Sequence, residues 1–146
     1  VLKHWLPTAA VFLSYGFNWN NVRTVSPSAL DPVPRVKLVK LANDPTVYYI
    51  TEPGRKRAIP NQAIFQSYGN SFGEVFVVNQ TELDAYPPNT LIHLERGPKI
   101  YLLDSSGAKR WFTTWRAFTS RGYQWNDVAP VNQTELDFYP TGSPIQ

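Results

Sequence analysis

Trp111 and Trp115 stand four residues apart, with Lys109 and Arg110 just before the first indole and Arg116 just after the second. Indole faces hold the apolar side of a sugar ring, and nearby cations and hydroxyls supply polar contacts. These residues are therefore a candidate carbohydrate site. The simpler reading is that the indoles pack between units or at a solvent-facing seam. Modification chemistry has two candidates, the sequons Asn79-Gln80-Thr81 and Asn132-Gln133-Thr134, which accept an N-linked glycan in a suitably exported protein. Each also reads as a helix start, with Asn79 or Asn132 as cap and Glu82 or Glu135 reaching back from three residues on. Capping accounts for the Glu; glycosylation does not.

Catalysis finds little support. His4 and His93 sit in no motif, cysteine is absent, and no serine lies in a nucleophile-elbow pattern. There is no paired-histidine metal spacing and no glycine-rich phosphate loop. Scattered carboxylates could meet in space to cleave a glycosidic bond, and the oxygen-rich turns at Asn43-Asp44 and Asp104 could contribute to a calcium site. The spacing marks neither. The expectation is a non-catalytic chain with no cofactor, no metal and no catalytic residue.

Net charge is +3, from 14 Lys and Arg against 11 Asp and Glu. That is too mild to signal nucleic acid by itself. No run approaches the roughly 18 apolar residues of a membrane span. With 42% hydrophobic residues, 146 positions suffice for one ordinary core.

What must position the candidates is a repeat. Sliding the chain by 53 places Phe12 on Phe65 and Phe118, Gly16 on Gly69 and Gly122, and Trp19 on Phe72 and Trp125. Val22, Val75 and Val128 coincide, as do Leu30, Leu83 and Leu136, and Asp31, Asp84 and Asp137. The other half occurs twice: Leu38 meets Leu91, Tyr48 meets Tyr101, and Lys56-Arg57 meets Lys109-Arg110. Such periodicity marks repeated supersecondary blocks. The expected fold is α+β, in tandem units of about 53 residues sharing one stacked core. Residues 1–34 form a partial first unit, 35–87 and 88–140 two full ones, and 141–146 the start of a further strand. A longer parent polypeptide is expected.

Within a unit, the run Val36–Ile50 reads as strand, Asn-Asp-Pro turn, strand. A Gly turn and a short third strand follow. A helix opening near Pro60 or Asn61 and closing at Gly69 comes next, with counterparts at 7–15 and 113–121. Trp19, Phe72 and Trp125 read as plugs sealing helix against sheet. The expectation is antiparallel hairpins or three-stranded sheets with helices on one side. The basic pairs read as solubilising surface partnered by the recurring aspartates, or as a stripe for an anionic polymer.

The strings "GRKRAIPNQAIFQSYG" and "SGAKRWFTTWRAFTSRGYQWNDVAPVNQTELDFYP" resemble a tandem repeat of predicted exported or cell-surface proteins of prokaryotes. Tyr48, Gly54, Lys56, Arg57, Ile59, Pro60, Phe65, Gly69, Phe72, Val75, Tyr86 and Pro87 occupy its characteristic places. Thr113 in place of Pro and Val33 in place of Tyr depart from it. The resemblance spans nearly the whole chain and implies a location outside the cytoplasm, within a larger protein; it names no catalytic residue. Two functions follow as expectations: a structural or adhesive surface module, or a carbohydrate- or cell-wall-binding module. Partners would be neighbouring repeats, a polysaccharide or another copy of the chain, without nucleic acid or membrane insertion.

Overall fold

A computed structural model describes all residues, 1–146. The fold is mixed α+β, with two four-stranded sheets and short helices. The first sheet contains β1 (Leu38–Leu41), β2 (Tyr48–Ile50), β3 (Lys56–Ala58) and β4 (Phe76–Val78), in the order β3-β2-β1-β4. The second contains β5 (Leu91–Leu94), β6 (Ile100–Leu103), β7 (Lys109–Trp111) and β8 (Val128–Val131), in the order β7-β6-β5-β8. Their registers correspond residue for residue. Leu38 pairs with Tyr49 and Tyr49 with Arg57; in the second sheet Leu91 pairs with Leu102 and Leu102 with Arg110.

Two features differ from expectation. Each sheet has a fourth strand that runs parallel to the central one, so the sheets are mixed rather than antiparallel. β-branched and apolar residues at Val75–Val78 suit strand pairing, although only Val78 of β4 is buried and Phe76 and Val77 stay exposed at the sheet edge. Helices also cover both faces of each sheet rather than one. Adjacent strand residues point to opposite faces, and Leu38 and Val39 are both buried. Leu38 packs with Val47 and Phe65 beneath α3 (Gln62–Ser67), and Val39 with Ile50, Val78 and Leu83 beneath α4 (Gln80–Ala85). The second sheet repeats this, with Phe118 of α5 (Trp115–Thr119) on one face and Leu136 of α6 (Gln133–Phe138) on the other. The apparent slip of alternation at Val39 is the signature of a strand covered twice.

Residues 1–34 hold α1 (Ala9–Ser14) and α2 (Pro27–Leu30) but no strand pair of their own. Val25 and Leu30 are therefore exposed, whereas their counterparts Val78 and Leu83 are buried. The helices α1, α3 and α5 start alike: Thr8, Asn61 and Thr114 accept hydrogen bonds from the amides of Val11, Ile64 and Ala117. They end at Gly16, Gly69 and Gly122, whose φ of +74°, +71° and +78° is a left-handed closure glycine adopts freely.

The chain joins its parts through one recurring backbone device. After each closing proline it runs parallel to an earlier segment, bridging Lys3 to Arg35, and the edge-strand residues Lys56 to Pro88 and Lys109 to Thr141. Lys56 N donates to Pro87 O at 2.8 Å, and Asn89 N donates to Lys56 O at 2.7 Å.

Trp19, Phe72 and Trp125 are not buried plugs; they are 56%, 60% and 51% exposed. Each begins a 3-10 turn on the outer side of a helix. Trp19 stacks on Phe12 at 4.1 Å and Phe72 on Phe65 at 4.6 Å, so one ring face is covered and the other meets solvent. Trp125 departs from the pattern and lies against His93 at 5.1 Å. Phe118 instead packs with Phe112, Trp115 and Tyr123.

Candidate functional site

The densest polar chemistry is a pair of buried clasps around Glu82 and Glu135, each at 0% exposure. Sequence reasoning reads both as capping-box glutamates. Half of that holds: Asn79 and Asn132 accept from the amides of Glu82 and Glu135, both at 2.9 Å. The reciprocal bond is not made, because both carboxylates turn inward to stronger donors.

Glu135 accepts from Arg57 Nε at 2.6 Å, Arg57 Nη2 at 3.3 Å, Tyr139 Oη at 2.8 Å and the Tyr68 hydroxyl. Glu82 meets His4 Nε2 at 2.5 Å, Tyr15 Oη at 2.6 Å and Tyr86 Oη at 2.8 Å. His4 and Arg57 are counterparts, as are Tyr15 and Tyr68, and Tyr86 and Tyr139. Each carboxylate is thus gripped by a basic residue 78 positions earlier and a tyrosine at a helix C-terminus 67 positions earlier, plus a tyrosine of its own turn. Tyr15 and Tyr68 also accept from the Asn79 and Asn132 amides, both at 3.0 Å. The Asn side chains donate to Ser14 and Ser67 at 2.9 and 2.8 Å. Both sequon amides therefore face the preceding helix, and a glycan on either would have to grow from an amide held in this contact.

A buried carboxylate must be compensated. Burial acts to raise the Glu82 pKa, but hydrogen bonds from His4, Tyr15 and Tyr86 outweigh it and hold the group below its ordinary range. Burial and the Glu82 bond push the Tyr15 hydroxyl up to about 12, and Tyr68, Tyr86 and Tyr139 are raised likewise. Burial disfavours the Arg57 cation, but Glu135 more than offsets this and raises its pKa. Arg57 also donates to the Asn89 side chain, whose counterpart beside His4 is Val36. A cleft of about 150 Å³ adjoins the Arg57–Glu135 pair. With its oxygens already engaged by four donors, Glu135 has nothing left to activate a substrate.

The clasps explain the basic pairs. Neighbours on a strand point apart. The second member, His4 or Arg57, faces the carboxylate. The first member turns to the other side: Lys3, Lys56 and Lys109 donate to the carbonyls of Leu30, Leu83 and Leu136 at 3.0, 2.6 and 2.5 Å. These carbonyls lie in short helical turns, whose C-terminal ends favour a cation. Lys109 is therefore employed structurally rather than offered to a ligand. The recurring aspartates do not partner these cations: Asp84 and Asp137 accept from Gln80 and Gln133 on the exposed side.

The other sequence candidates divide. Trp111 and Trp115 line one groove, together with Lys99 and Thr114. Arg110 points elsewhere, donating to Ser143 O at 2.9 Å. Arg116 is exposed and does not line the groove. Trp5, the counterpart of Trp111, lies over Gly54 and beside Tyr86. Asp44 and Asp104 bond the amides of their own turns. No cluster of three or more His, Cys, Asp or Glu is placed to hold a metal ion. No helix is long and apolar enough to cross a membrane.

The clasp tyrosines and Arg57 escaped sequence reasoning as a group. The available signal was joint replacement: Asn79, Glu82 and Tyr86 become Ser26, Ala29 and Val33 together. Comparison with family models, curated proteins and solved structures finds no match to the chain.

Proposed function

We propose that the chain is a non-catalytic structural or adhesive module of a larger extracellular or cell-surface protein, built from stacked units of about 53 residues. The observation that carries this reading is the pair of clasps. Two buried glutamates, 53 residues apart, are gripped by matching residues from the preceding segment. A polar joint that is buried and fully bonded favours one geometry over alternatives. Together with the paralleled backbone bridges it supplies a rigid, directional connection, which suits a spacer or a presenting surface.

The test is an in-register insertion of a second copy of residues 88–140 after Pro140. The module reading expects the added segment to fold, with a larger particle by small-angle scattering and a higher urea midpoint. An insertion that stays unprotected in hydrogen exchange would defeat it. Antibody labelling of intact source cells tests the surface location.

A further inference from the structure

The groove at the end of β7 has a twin on the first sheet. It is lined by Lys99, Trp111, Phe112, Thr114 and Trp115, with a volume of about 320 Å³. The twin is lined by Thr46, Ala58, Ile59, Asn61 and Gln62, with a volume of about 520 Å³. Strand, turn and helix start correspond at every position, so the two grooves share a frame and differ in their side chains. Thr46 becomes Lys99, Ala58 becomes Trp111, and Gln62 becomes Trp115. Three changes converge on one cavity, and together they add two indoles and a cation.

Packing does not account for the outer indole. Trp115 is 61% exposed, with Phe118 at 5.1 Å beside it. Lys99 Nζ lies 4.5 Å from the centroid of the Trp111 ring and makes no salt bridge. No acidic residue lines the groove. Thr114 Oγ1 accepts the Ala117 amide at 3.0 Å, which leaves its hydroxyl hydrogen to donate outward.

We propose that this groove binds an acidic sugar, a pyranose carrying a carboxylate. Trp115 takes the C–H face of the ring, Thr114 donates to a ring hydroxyl, and Lys99 pairs with the carboxylate. A neutral glycan would leave Lys99, which touches the Trp111 ring but has no counter-charge, without an anionic partner. A nucleic acid strand would need a row of phosphate contacts, whereas Lys99 is the one cation lining the groove. The proposal stands apart from the stacking of units, because the groove is built within one sheet and its helix.

The test is calorimetric titration of the full chain with oligogalacturonate, alongside a neutral cello-oligosaccharide and a single-stranded oligonucleotide. The wild-type chain is expected to bind oligogalacturonate saturably and more tightly than either comparator. The variant K99T/W111A/W115Q, which installs the twin's residues at these three positions, should bind it at least about tenfold more weakly with its melting temperature nearly unchanged. K99T alone should bring the acidic sugar down to the neutral one. If the triple variant fails to fold, W115Q alone, at an exposed position, must show the loss. Absence of saturable binding by the wild type, undiminished binding by the variants, or preference for either comparator overturns the proposal.

Discussion

Replacing Glu135 by glutamine keeps the side chain's shape and removes its charge. One of the two acceptor oxygens becomes an amide donor, facing hydrogens from Arg57 or Tyr68 that pointed at a carboxylate. Arg57 is left as a cation at 7% exposure with no counter-charge, since Asn89 is its other polar partner. Charge-assisted hydrogen bonds contribute about 1.5–3 kcal/mol each. Breaking a buried ion pair on one side costs about 3–5 kcal/mol. For a chain of this size that corresponds to a fall in Tm of roughly 10–15 °C. Circular dichroism during heating and in urea reads both quantities. Removing the two charges together, as R57L/E135L, should cost less than E135Q alone, because no orphaned ion remains. A loss under about 1 kcal/mol for E135Q, or a double variant as unstable as the single one, would refute the clasp as the joint between the sheets.

The Glu82 clasp should respond to pH at both ends. Glu82 is held below its ordinary range, so its contribution is present above the unfolded carboxylate pKa of about 4.3 and is lost as pH falls through the folded value. Tyr15 is raised to about 12, so its contribution is present below the unfolded pKa of about 10 and is lost as pH rises through about 12. Absorbance at the phenolate band should show a step near pH 12 that Y15F removes, while the other clasp tyrosines, also raised, still titrate with it or after it. Gly54 and Gly107 offer a second comparison, with φ of +86° and +81°. A β-carbon on Gly54 would lie 2.4 Å from Trp5 Cζ3, whereas one on Gly107 meets nothing within 4 Å. G107A should cost about 1 kcal/mol for its left-handed backbone, and G54A measurably more by urea denaturation, with W5A recovering the difference.

The turns and helix ends were legible because they rest on local rules. Gly69 closes a helix and Asn61 opens one by short-range geometry that a few residues specify. The double coverage of the sheets was partly written in the adjacent buried pair Leu38-Val39, which breaks simple alternation. The clasps were not legible, because Arg57 and Glu135 are 78 residues apart and meet only through packing. A glutamate three residues after an asparagine satisfies the capping rule on paper; only the arrival of two hydroxyls and a cation shows why it turns inward. Trp19 and Trp125 misled for a related reason, since recurrence says that a position is used and not that it is enclosed.

The joint that holds Glu82 and Glu135 has a direction. Its cationic and phenolic side comes from the earlier segment, and its carboxylate side from the later one. The turn at 27–30 is flanked by Ser26 and Val33 and carries Ala29 where Asn79, Tyr86 and Glu82 stand in the next segment, and Arg110, the counterpart of Arg57, donates to Ser143 O rather than to a carboxylate. The polarity of the clasp therefore fixes reading order: an acid-bearing turn can be locked only by the segment before it, so neighbouring segments cannot be exchanged without breaking the fit.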